Sequence, residues 1–69
     1  MKYHFRLMGN GLKHAWQKDC WRLAAAMHHA RQVARECARD ELYRGVVIEV
    51  LDGAGTKIDV VPIPDQLRS

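Results

Sequence analysis

The chain has 69 residues, 48% of them hydrophobic, with eleven Lys and Arg against eight Asp and Glu for a formal net charge of +3. That length allows one small domain, which buries only about 60% of the surface its unfolded chain exposes, and it leaves little room for a catalytic pocket inside one subunit. No stretch approaches the ~20 apolar residues of a membrane span. The opening MKYHFRLMGNG has neither the apolar core nor the small-residue cleavage site of a secretory signal, so a cytoplasmic protein is expected. The mild positive charge permits an anionic partner without requiring one.

Residues 2–8 alternate, with Tyr3, Phe5 and Leu7 on one side and His4, Arg6 and Met8 on the other. A period of two with aromatics predicts a half-buried strand. Gly9-Asn10-Gly11 ends it, because glycine and asparagine accept positive φ. Residues 12–18 show no clear period and read as a loop or as the start of the next helix. Trp16 and Trp21 pin that connection to the domain, since each ring can bury a large area. Asp19 is placed to accept a helix N-terminal N–H, and no Gly or Pro follows until Gly45, so a helix is predicted over 19–44. Its buried stripe is Leu23, Met27, Ala30, Ala34, Cys37 and Ala38, flanked by Ala26 and Val33. Gly45 stops it, with Arg44 in the last turn. Cys20 and Cys37 stand 17 positions apart within this helix, about 25 Å at 1.5 Å per residue, too far for an intrachain disulfide. No CxxC spacing suggests zinc.

Two strands follow, at about 46–51 and 56–61. Val46, Ile48 and Val50 form the inner face of the first, Ile58 and Val60 that of the second, and Asp52-Gly53-Ala54-Gly55 is the hairpin turn. Pro62 and Pro64 lack a ladder donor, so 62–69 reads as a tail in which Leu67 folds back. The predicted architecture is α+β, in the order β-α-β-β, with one helix packed on a three-stranded mixed sheet whose first two strands run parallel across the helix.

Several short patterns occur together: Tyr3-x-Phe5, then Gly9-Asn10-Gly11, then LAAAMHHA at 23–30, and finally IEVLDGAGTKIDVVPIPD at 48–65. The last reads as (V/I)-E-V-x-D-x-x-G, a strand, then P-x-x-D. This set resembles a family of short stand-alone bacterial proteins classed only as a domain of unknown function. The resemblance spans nearly the whole chain, most closely at 48–65 and least at 12–21. Members of that family carry an acidic D-x-x-G-like middle loop and an Asp at the helix start, where this chain has LKHAWQKDCW and Arg22. The resemblance implies a small cytoplasmic bacterial protein and no catalytic residue.

His28 and His29 are consecutive and so point ~100° apart on a helix, whereas helical zinc pairs use i and i+4; with His14 left to come from a loop, no metal site is expected. His4 with Glu49 or with Asp59, on the outer sheet face, is a candidate acid–base pair, but cross-strand pairs of this kind are more often surface ion pairs. No glycine loop opens a helix, so nucleotide-binding fingerprints are absent. No catalytic residue and no cofactor are expected. His28, Arg31, Arg35 and Arg39 share one helix stripe, in which like charges at i, i+4 repel; this is the candidate anion-binding surface, for nucleic acid or another polyanion. Met8, Val47, Leu51 and Val61 make the sheet's second face too apolar for water alone, a candidate interface for a homodimer or protein partner. The expectation is a non-enzymatic protein-interaction or regulatory module acting through a sheet face or edge, with polyanion binding as the alternative.

Overall fold

The computed structural model describes residues 1–64. Four strands and one helix follow in the order β1 (Lys2–Gly9), β2 (Leu12–Asp19), α1 (Leu23–Cys37), β3 (Val47–Leu51) and β4 (Lys57–Pro62), with a 3-10 turn at Glu41–Tyr43 before β3. The sheet is ordered β2-β1-β3-β4 and every neighbouring pair is antiparallel. The α+β class and the single helix agree with the sequence reading. The three-stranded mixed sheet does not: the segment read as a loop is β2, and β1 meets β3 antiparallel rather than parallel.

Asn10 and Gly11 explain the extra strand. Their φ values of 52° and 73° are those of a two-residue type I′ turn, whose twist matches that of the strands it joins. Gly9 pairs with Leu12 and the ladder continues without a shift to Lys2 opposite Asp19. The Asn10 side-chain amide donates to the carbonyls of Leu42 and Arg44, tying the hairpin tip to the 3-10 turn. At Gly9 (φ 132°) a Cβ would lie 3.1 Å from the Val46 Cα, so the backbones approach where only glycine fits.

Asp19 is the last residue of β2 and does not cap the helix; Arg22 occupies the N-cap with no side-chain hydrogen bond. The far end is also shorter than predicted. α1 closes at Ala38, and Asp40 starts the 3-10 turn by accepting from the Leu42 N–H at 3.0 Å, a local hydrogen bond that competes with helix continuation. Gly45 (φ 77°) is left-handed as expected, but it follows the 3-10 turn rather than α1.

The core lies between α1 and one sheet face. Tyr3, Phe5 and Leu7 meet Val46, Ile48 and Val50 there, under Ala26, Met27, Ala30 and Ala34. The alanines let the helix approach the sheet closely, and their positions agree with the predicted stripe apart from Leu23, which is exposed. On β4 the predicted faces are reversed. Asp52 folds the hairpin by accepting from the N–H groups of Ala54 and Thr56, both at 2.9 Å. The register then passes from Leu51 opposite Lys57 to Val50 opposite Asp59, so Ile58 is an extra residue in β4. A bulge of this kind shifts the alternation by one. Val61 and Ile63 therefore enter the core, while Ile58 and Val60 are exposed. Pairing also reaches Pro62, opposite Val47, on an edge strand where a missing donor is tolerated. Leu67 lies outside the described residues.

Candidate functional site

α1 packs against β3 and β4, and the helix-side surface of β1 and β2 beyond it is filled by rings. Trp16 stacks on Phe5 with centroids 5.4 Å apart and planes 15° apart. His14 stacks on Trp16 at 5.7 Å. His29 reaches over from α1, edge-on to Phe5 at 5.0 Å, and its Nε2 accepts the Trp16 Nε1–H at 3.0 Å. An accepting Nε2 must be unprotonated, so the imidazole is neutral with its proton on Nδ1. Burial holds the His29 pKa below its ordinary value of 6.5, with Lys18 and His28 acting in the same direction and Glu36 opposing them. His28 is exposed. The two adjacent histidines thus occupy different environments: one is a ring of the aromatic cluster, the other lies exposed on the helix surface. Beside them an open cleft of about 480 Å³ is lined by Lys18, Trp21, Arg22, His28, His29 and Gln32, among others. Arg22 lies over the exposed Trp21 ring, 4.3 Å from its centroid.

The predicted anion stripe is divided. His28, Arg31 and Arg35 are exposed along α1, whereas Arg39 lies past the Ala38 cap, in the turn that follows. The predicted apolar interface is also divided. Met8 and Val47 oppose each other on the sheet face away from the helix, and Leu51 opposes His4 there. Val61 does not belong to that face: the Ile58 bulge turns it to the helix side, where it is buried. Leu51 is itself buried, and Glu49 is held in the middle of the face by Arg6, at 2.9 Å from Nε and 2.6 Å from Nη2, and by Lys57 at 3.7 Å.

The acid–base candidates are not brought together. His4 stands opposite Gln17 and Leu51, Glu49 is engaged by Arg6 and Lys57, and Asp59 accepts from the Val60 N–H at 2.7 Å. Cys20 and Cys37 are free thiols. Cys20 precedes α1 rather than lying in it. Burial, then Glu36 and Asp40, push the Cys37 thiol upward, opposite to the activation a nucleophile needs. Among the described residues no three His, Cys, Asp or Glu side chains converge on a point where a metal could sit, and no helix is long and apolar enough to cross a membrane.

The two sheet edges differ. β4 carries Pro62 and the Ile58 bulge, both of which disfavour further pairing. β2 has eight residues in unbroken register on its inner side and no proline, and half its backbone groups face outward. The sequence reading missed this strand; the Asn10-Gly11 dipeptide between two runs was the signal for it.

The sequence family described as "Domain of unknown function (DUF6894)" matches residues 2–64. No curated protein and no solved structure matches the chain.

Proposed function

Because the chain belongs to this family of unknown function, its role must be read from its own surface, and we propose that it is a non-enzymatic protein-interaction module whose working surface is the open edge of β2. The observation that carries the reading is the contrast between β4, interrupted by a bulge and a proline, and β2, continuous for eight residues and guarded only by Lys13 and Lys18. An extended segment can add to such an edge through main-chain hydrogen bonds, with side chains on alternate faces giving selectivity. The sheet face away from the helix offers less, because the Arg6–Glu49–Lys57 ion pairs at its centre suit water.

A second reading, polyanion binding, is favoured by the exposed His28, Arg31 and Arg35 along α1, with Lys18 and Arg22 near the start of that ridge, and by a first turn of α1 without an acidic residue. One experiment addresses both. Extract from the source cell is passed over immobilised wild type, Gln17→Pro and Arg35→Glu. Gln17 directs its N–H away from β1, so proline there blocks the edge and leaves the β1 ladder intact. Proteins lost with Gln17→Pro and kept with Arg35→Glu support the edge. Nucleic acid retained by wild type, lost with Arg35→Glu and released steeply by salt supports the second reading instead. Equal retention on all three overturns both.

A further inference from the structure

We infer that the occupant of the β2 edge is a second copy of this chain, paired antiparallel about a two-fold axis at Trp16, so that two four-stranded sheets become one of eight strands. The inference rests on the reading of β2 as the working edge and adds its partner and register.

Backbone direction limits the choices. A two-residue type I′ turn is closed by a hydrogen-bonded pair, here Gly9 and Leu12, and pairs alternate from there. Leu12, His14, Trp16 and Lys18 therefore bond to β1, while Lys13, Ala15, Gln17 and Asp19 direct their N–H and C=O groups outward. A second β2 can bond only if its own outward residues oppose these. Odd positions must then meet odd positions, and since directly opposed residues share a face, both helices fall on the same side of the joined sheet.

Side chains choose among the registers that remain. With Trp16 opposite its mate, residues 13–19 overlap completely. Lys13 then meets Asp19 of the second copy, and by symmetry the pair occurs twice. Ala15 meets Gln17. His14 meets Lys18, a pair without attraction. With Ala15 on the axis, Lys13 faces Gln17 and the charge pairing is lost. With Gln17 on the axis, Lys13 leaves the ladder and Asp19 faces Ala15. Lysines on an edge ordinarily discourage pairing; here one of the two finds its counter-charge at the far end of the same strand, which only self-pairing in this register uses. Asp19 also lies 3.5 Å from the terminal amine of Met1, but both groups are well exposed and such a contact holds little. On the helix side this register sets the two Trp16 side chains opposite each other, each already packed on its own Phe5.

Sedimentation velocity across a wide concentration range, with reductant present to keep Cys20 and Cys37 apart, tests the inference. Wild type is expected to shift from monomer to dimer with concentration, and Gln17→Pro to remain monomeric while keeping the far-ultraviolet circular dichroism of the fold. Lys13→Asp and Asp19→Lys are each expected to weaken the dimer at least tenfold, and the double exchange to restore it. The amides of Lys13, Ala15 and Gln17 should gain protection from hydrogen exchange as the dimer forms. A wild type that stays monomeric at every concentration overturns the inference, and the edge reading is then judged separately by the proteins that Gln17→Pro loses. A dimer indifferent to Gln17→Pro, or one that the double exchange does not restore, also overturns it.

Discussion

The helix-side layer has two halves of different chemistry. Over β3 and β4 it is aliphatic: Ile48, Val50, Val61 and Ile63 lie under the alanines and Met27 of α1. Over β1 and β2 it is made of rings, with Phe5, Trp16, His14 and His29 stacked or edge-on, and it borders the open cleft. The first half is held by apolar packing and carries no titratable group in its buried layer. The second depends on one hydrogen bond whose acceptor must stay unprotonated. A domain this small thus keeps its bulk stability and its chemical sensitivity in separate places.

The sharpest way to test that contrast is Ile48→Ala. Ile48 is fully buried in a central strand, between Leu7 and Val61. Losing its side chain costs ~2–5 kcal/mol, comparable to the whole margin of a small domain. The variant is expected to be largely unfolded in a urea titration followed by circular dichroism.

Trp16→Phe should be milder, because a ring remains on Phe5; the bond to His29 goes, at about 0.5–1.5 kcal/mol, together with part of the contact area of the larger indole. A loss as large as that of Ile48→Ala would abolish the distinction between the halves.

Acidity should act on the ring half alone. The folded His29 pKa is depressed, so below its ordinary 6.5 the unfolded chain binds more protons than the folded one. Stability is then complete above that value and declines as pH falls from it toward the folded pKa. Denaturant midpoints measured across this window should decline for wild type and flatten in His29→Gln, which retains His4, His14 and His28. An equal decline in both would assign the sensitivity elsewhere.

The smallest effect is expected from Arg22→Ala. Arg22 lies over Trp21, which is 74% exposed, outside both halves, and the change should stay within about 0.5 kcal/mol in the same titration.

Where the sequence was legible, the period was regular and the face apolar. Tyr3, Phe5 and Leu7, the alanine stripe of α1, and Val46, Ile48 and Val50 all show their burial by spacing alone. β2 does not, because an edge strand only partly covered on its helix side needs little apolar content: of its helix-side residues only Leu12 and Trp16 are apolar and half-buried, and His14 and Lys18 hide the alternation. β4 was assigned to the wrong face because one extra residue, Ile58, reverses the alternation, and Ile58/Val60 and Val61/Ile63 are equally plausible inner pairs until the bulge is known. The helix was read too long because residues 38–44 have ordinary helix propensity, and the Asp40 side chain diverts them. Of the site, the separation of His28 from His29 followed from helical geometry. The Trp16–His29 bond could not, since its two partners were assigned to different kinds of structure.

Three strand pairings make the sheet, and two of them join neighbours in the chain. Only β1 and β3 meet across the helix, along the five opposed pairs from His4/Leu51 to Met8/Val47. A hairpin forms in ~1–10 μs but is at best marginal alone in water. Neither half of the molecule can therefore persist by itself, and the entropy of loop closure falls on one step. That line of ten residues is what makes two short-lived hairpins and a helix fold as a single cooperative unit.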